Sequence, residues 1–515
     1  MSELARDALS KTNFSTLDWV IVILYLAISL LIGVFVKRYA VSMTSYIGAG
    51  RRVGPWLGIA TMTGTELGLI TVMYSAEKGF KGGFAAFHIA IIAGFVTLCI
   101  GLTGFVVVPL RKLRVLTIPE YYEKRFDRRT RILGGVILAF GGILNMGLFL
   151  KVGSMFIVAI TGLPADGLAL PLVMTALLAL VLVYTVLGGM VSVIITDYIQ
   201  FVVLSFGILL TTGLAIYKLG WNNIFDTVSL EMGDAGFNPL AEGTFGPSYV
   251  LWMTVTGFIG CAVWPTAVAR ALSMESTHAV KQQYTWSSIS FTIRFLIPYF
   301  WGICALVFFA TAAQDLQPLF AESEDGTPPD LPALYAMPLF LGRLLPAGLI
   351  GLVSAAMIAA FMSTHDSYLL CWSSVITQDV VAPLRREPMT SQQRIKLTRV
   401  LIVAIGIFVW AWGLFYDGGD DIWDYMAITG AIYFTGAIPL LVGGIYWRRG
   451  SCVGAKLSLI AGCTAVVGLE PLRVGVQNAL GLADFTSAHV GLATVSASTL
   501  AFIGGSLLFP DKPKG

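Results

Sequence analysis

The chain has 515 residues, of which 56% are hydrophobic and 12% charged, and its net charge is +3. Globular domains carry about 25% charged residues, so roughly half of the usual solvated surface is missing, which excludes a soluble enzyme of this length. The small net charge gives no reason to expect nucleic acid. The six scattered cysteines lack a CxxC pair and the four histidines lack ligand spacing, so neither a disulfide framework nor a metal cluster is expected.

One bilayer span needs about 20 apolar residues, and by that rule the chain predicts an all-α polytopic membrane protein of about thirteen transmembrane helices. They fall at 18–36, 55–76, 83–109, 132–160, 168–187, 191–217, 247–268, 286–311, 344–372, 399–416, 422–446, 454–470 and 489–509. The first run follows a polar segment with both signs of charge and has no small-residue cleavage site, so it reads as a retained helix and not a signal peptide. No stretch alternates as the strands of a barrel do. Alternate loops, among them 37–52, 111–131 and 385–399, hold about 24 Lys and Arg against about 7 in the other set, which predicts an outside N-terminus and a cytoplasmic C-terminus. The acidic loop 313–338 then lies outside, as does 221–247.

Several spans carry groups that lipid should not meet. In the second, GPWLGIATMTGTELGLITVMYSA, Glu66 lies between Gly64 and Gly68 with threonines nearby. Glycines and β-branched residues weaken that helix, and a backbone break at membrane depth is tolerated where it lines a cavity. Close packing through small residues is the alternative. Lys151 lies too deep in the fourth span to reach water. Either it pairs with an intramembrane carboxylate or it meets a negatively charged group of a solute. Asp197 opens the membrane part of the sixth span. Arg294 lies near the cytoplasmic entry of the eighth, where snorkelling accounts for it.

The ninth span contains AAFMSTHDSY (359–368). At 3.6 residues per turn Ala360, Ser363, Thr364 and Ser367 share one face, with Asp366 about 110° to the side and His365 nearly opposite. Hydroxyls in membrane helices often bond back to their own backbone, but an adjacent aspartate favours a set of hard oxygen donors such as a sodium ion takes. His365 reads as a packed side chain.

The segments GRRVGPWLG (50–58), IPEYYEKRFDRRTR (118–131), VYTVLGGMVSVIITDYIQ (183–200) and AAFMSTHDS (359–367) together resemble the sodium:solute symporter family over essentially all the spans. The resemblance implies the inverted-repeat fold of the amino-acid symporters in one transporter domain, 1–515. A peripheral helix (18–36) comes first, then two five-helix repeats (50–218 and 247–447), then two more helices (454–509). It implies a main sodium site from the carbonyls of Gly64, Leu67 and Ala360 and the hydroxyls of Ser363 and Thr364. A second cation or proton site would join Asp197, Asp366 and Ser367. Here the chain departs from the pattern, with an aspartate where a serine is usual. Glu66 departs too, which leaves open whether sodium or a proton is the coupling ion. Substrate contacts are expected from the second, fourth, seventh and eleventh spans, which offer Glu66, Lys151, Trp264 (beside Pro265 at a break), Tyr433 and Phe434. Glu66 and Lys151 as complementary ends favour a zwitterion, such as an amino acid.

The resulting expectation is a secondary active transporter in the plasma or inner membrane that imports a small organic solute on an ion gradient by alternating access. It uses no organic cofactor and requires no oligomer. No filter or ring motif supports a channel, and no signalling domain follows LFPDKPKG, against a transporter-like sensor. His365 and Asp366 diverge on their helix, so they form no catalytic pair, and no nucleophile motif is present.

Overall fold

The computed structural model describes residues 2–36, 51–164, 167–241, 243–321, 328–416, 421–481 and 485–511; the side chains at 30, 32–36, 65, 184, 187–197, 199–200 and 480 lie outside the description. The regular elements of the described residues are all helical, apart from one isolated β-bridge between Val53 and Met274. Its helices are α1 (Glu3–Ser10), α2 (Thr16–Val36), α3 (Pro55–Glu66), α4 (Leu69–Gly82), α5 (Phe87–Thr103), α6 (Val107–Lys112), α7 (Ile118–Arg125) and α8 (Arg128–Asn145). There follow α9 (Phe149–Thr161), α10 (Ala169–Leu219), α11 (Trp221–Met232), α12 (Pro247–Val263), α13 (Pro265–Ser273), α14 (Thr277–Thr311) and α15 (Ala336–Leu344). The last are α16 (Leu349–Val375), α17 (Ser391–Phe415), α18 (Ile422–Tyr446), α19 (Cys452–Gly462), α20 (Glu470–Leu480) and α21 (Ser487–Leu508). Among the described residues, nine helical stretches are long and apolar enough to cross a membrane, so the chain is an integral membrane protein.

Two spans are interrupted at membrane depth, each for a local reason. The second stops at Glu66; Leu67 (φ −93°, ψ 66°) and Gly68 (φ −85°, ψ 164°) leave helical geometry before α4 begins. In the seventh, Trp264 (ψ 120°) is pushed out of the helical region because Pro265 follows it. Elsewhere the boundaries differ from expectation. The backbone is one continuous helix through α10 where two spans, 168–187 and 191–217, are predicted. The Gly188–Gly189 pair weakens a helix but removes no N–H, whereas a proline would. The predicted span 454–470 corresponds to the stretch Cys452–Gly468, which meets Glu470–Ala479 at 85° just before Pro471.

Close packing locks the interrupted helix in place. A Cβ on Gly302 of α14 would lie 1.9 Å from the Ala76 carbonyl oxygen, and one on Gly79 of α4 would lie 2.1 Å from that of Tyr299. The two backbones therefore touch, as small residues allow between membrane helices. Further along α14, a Cβ on Gly101 of α5 would lie 2.4 Å from the Thr285 nitrogen. Gly302→Val is expected to lower the midpoint of thermal unfolding in detergent by an overpacking cost of about 1–3 kcal/mol. Gly504→Ala, where nothing lies within 4 Å of the added carbon, is expected to leave the midpoint unchanged or slightly raised.

Candidate functional site

A helix that ends leaves its last carbonyls without intrahelical partners, and here they end inside the protein. The Thr63 carbonyl accepts from the Leu67 nitrogen at 2.8 Å. That of Glu66 accepts from Thr71 Oγ1 at 3.0 Å and from Arg294 Nη1 at 2.8 Å. The Gly64 carbonyl faces Ser363 Oγ at 3.4 Å, longer than an ordinary O–H···O bond. One residue along α16, Thr364 Oγ1 donates to the Ala360 carbonyl at 3.0 Å, the bond to its own backbone that hydroxyls in membrane helices favour. A Cβ on Gly68 would lie 2.0 Å from Thr364 Oγ1, so only glycine admits α16 this close to the break. The structure thus brings Gly64, Ala360, Ser363 and Thr364 together beside Leu67.

Of the second expected cluster, Asp366 and Ser367 lie within the description. Asp366 and Ser367 are buried, and Ser367 Oγ lies 3.1 Å from Asp366 Oδ1. Arg270 of α13, also buried, donates from Nη2 to Ser367 Oγ at 2.6 Å. A guanidinium from the chain itself therefore stands beside Ser367, where a second cation was expected. The side chain of Asp197 lies outside the described residues. His365 packs as expected, with its ring 3.9 Å from that of Phe361 and Nδ1 3.2 Å from the Phe361 carbonyl.

A cavity of about 130 Å³ lies against the break and reaches both interrupted spans. Glu66, Trp264, Thr364 and Phe434 line it. Arg294 does as well, which corrects the snorkelling assignment: its side chain is buried, with Nη1 3.3 Å from Glu66 Oε2 and the guanidinium carbon 3.8 and 4.4 Å from the ring centres of Phe291 and Phe295. Glu66 Oε1 accepts from Thr266 Oγ1 at 2.8 Å. Two of the expected contacts fall elsewhere. Lys151 Nζ donates to the Tyr416 carbonyl at 3.1 Å, and Tyr433 meets Tyr122, hydroxyl to hydroxyl, at 2.8 Å; neither lines the cavity. Arg294 was missed although it is a cation in an apolar span. The long side chain near a helix end had a simpler explanation, and pitch alone does not tell which wall it faces.

Two clusters of paired charges lie toward opposite ends of the helices. On the side away from the basic loops, Tyr74 packs on Trp423 with centroids 4.6 Å apart. One turn further, Lys78 pairs with Asp421 at 2.7 Å and Asp424 at 2.9 Å, Lys81 pairs with Asp421, and Tyr249 donates to Asp424 at 3.3 Å. Burial alone would raise the Asp421 carboxyl, but the two ammonium groups outweigh it and hold Asp421 well below the usual carboxylate range. On the basic side, Arg131 pairs with Asp379 at 2.9 Å and Thr117 donates to the same carboxylate at 2.8 Å.

Against known proteins, the model of the sodium:solute symporter family matches residues 46–462. The sodium/sialic acid symporter of Proteus mirabilis is 26% identical over 469 residues, covering 88% of this chain and 90% of that protein. A sodium/proline symporter of Staphylococcus aureus is 23% identical over 480 residues, covering 89% and 86%. Among solved structures, a substrate-bound, outward-open Na+-coupled sialic acid symporter superposes with a TM-score of 0.77 at 21% identity, covering 97% of this chain and 99% of that one. MhsT in complex with L-phenylalanine superposes at 0.54 with 14% identity, covering 88% and 98%. At these identities the superpositions speak for the fold.

The Asp421 cluster has a testable pH signature. A carboxyl with a lowered native pKa adds stability that is complete above about pH 4 and fades as pH falls through the lowered value. Asp421→Asn is expected to flatten that acid limb in thermal unfolding. At neutral pH it should cost about 2 kcal/mol, between a surface pair and a fully buried one, because Asp424 still holds Lys78.

Proposed function

The chain belongs to the sodium:solute symporter family, and from that premise we propose that it imports a small organic solute bearing both charges, an amino acid or related zwitterion, driven by sodium through alternating access. It is a membrane transporter and not an enzyme. The observation that carries this reading is the break at Leu67–Gly68, because the Gly64 carbonyl beside it faces the Ser363 hydroxyl of α16, next to Thr364, which lines the same cavity as Glu66 and Arg294.

In this reading sodium is held by the carbonyls of Gly64, Leu67 and Ala360 and the hydroxyls of Ser363 and Thr364. The Gly64 carbonyl and Ser363 Oγ face each other at 3.4 Å, so two hard oxygens from α3 and α16 stand side by side at the break. Glu66, Trp264 and Phe434 belong to the solute site. With Lys151 on the Tyr416 carbonyl, the partner of Glu66 is Arg294 and no longer Lys151. The repeats are 50–218 and 247–447, flanked by 18–36 and 454–509. The charge bias of the loops places the N-terminus outside and the C-terminus in the cytosol. A proton as coupling ion is the second reading, favoured by the fully buried carboxyl of Asp366.

Thermal stability of the purified protein is the test, titrated with sodium against choline at constant ionic strength and at two pH values. A sodium-specific gain that grows with the logarithm of sodium concentration is expected, reaching about 2.7 kcal/mol at a hundred times the dissociation constant. Replacing Ser363 and Thr364 together with alanine should abolish it. A gain that depends on pH and ignores sodium moves the coupling to the proton, and an undiminished gain in the double variant removes these residues from the ion site.

A further inference from the structure

Resting on the symport reading above, we propose that the solute is an α-amino acid with an apolar side chain. Arg294 and Thr256 receive its carboxylate, and Glu66 and Asn145 its ammonium. Three buried polar atoms on residues lining the one cavity lack a hydrogen-bond partner: Arg294 Nε, Thr256 Oγ1 and Asn145 Oδ1. Folded proteins leave few such groups, and each one calls for an explanation.

Their polarities match the two ends of one ligand. The Asn145 amide spends its Nδ2 on the Met426 carbonyl at 2.8 Å and on Thr429 Oγ1 at 3.1 Å, so the atom left over is an acceptor. The Arg294 guanidinium is held between two phenyl rings and tied to Glu66 through Nη1, which leaves Nε as a fixed donor. Thr256 adds a hydroxyl. A carboxylate takes the donors and an ammonium takes Asn145 Oδ1 and Glu66.

Charge and distance narrow the class. One carboxylate and one guanidinium sum to zero, so a ligand with a single charge meets one attraction and one repulsion. Glu66 Oε2 and Arg294 Nη1 are 3.3 Å apart. Complementary charges must be equally close in the ligand. An α-amino acid bears them on one carbon, whereas an ω-amino acid separates them by a methylene chain. The room for the whole ligand is small and aromatic: the entire cavity is about 130 Å³ and its walls include Tyr74, Trp264, Phe295, Trp423 and Phe434. A cavity of about 150 Å³ holds a benzene-sized apolar group. That suits a compact apolar side chain and not a ring covered in hydroxyls.

The experiment is thermal stabilisation of the full chain in saturating sodium by each of the twenty genetically encoded α-amino acids. The best of them is then compared with its methyl ester, its N-acetyl derivative, γ-aminobutyrate and a sugar acid. Expected is a concentration-dependent rise in midpoint with at least one apolar α-amino acid, and at least ten-fold more of every comparison compound needed for the same rise. Arg294→Lys, which keeps the charge and loses the fork, should weaken that amino acid ten-fold or more. The proposal is overturned if no α-amino acid shifts the midpoint, if the ester, the N-acetyl form, γ-aminobutyrate or the sugar acid binds as well as the parent, or if Arg294→Lys binds at full affinity. Failure of the symport reading has a separate mark: no stabilisation of the wild-type protein by sodium alone. The wild-type panel decides the matter even if the variant does not fold.

Discussion

At membrane depth no water is at hand for an unpaired carbonyl, and the central arrangement follows from that constraint. Because α3 ends at Glu66, its last carbonyls must find donors inside the protein. Thr71 on α4, Arg294 on α14 and Ser363 on α16 face them. One interruption therefore fixes the mutual position of four helices. Gly68 is its complement: without a side chain there, Thr364 comes into contact with the break. Sites built where discontinuous helices meet are the rule in transporters of this kind, and here the reason is visible bond by bond.

Paired charges lie on either side of the contact between Tyr74 and Trp423. Glu66 and Arg294 pair against the cavity, and Lys78 with its two aspartates pairs beyond Tyr74 and Trp423. A buried ion pair adds little net stability over apolar packing but is costly to break by halves. Such pairs suit positions where a protein needs two defined arrangements and few intermediates.

The sequence was informative wherever a local pattern decides the outcome. Glycine and proline marked both interruptions, at Leu67–Gly68 and at Trp264–Pro265. The helical pitch grouped Ala360, Ser363 and Thr364 before any coordinates. It was uninformative about lateral direction. Lys151 and Arg294 are both cations in apolar spans, yet only Arg294 faces the cavity. Tyr433 and Phe434 are neighbours, and so lie about 100° apart on α18; one meets Tyr122 while the other lines the cavity. The pairing of Lys78 with Asp421 and Asp424 joins residues more than three hundred positions apart, a contact no period reveals. One helix runs on where the two spans 168–187 and 191–217 were expected, and the weak helix formers Gly188 and Gly189 do not by themselves stop it.

Glu66 touches both halves of the proposed chemistry. Its carbonyl belongs to the interrupted backbone beside Gly64, and its carboxylate faces the cavity; one guanidinium, that of Arg294, holds both. Any shift of that backbone toward an ion displaces the guanidinium, and any ligand that draws on the guanidinium displaces the backbone. Linkage then requires reciprocity: whatever factor the ion lends to solute affinity, the solute must lend to ion affinity. In the proposed reading, a positive coupling through this residue disfavours the half-loaded carrier and so guards the gradient against uncoupled leak.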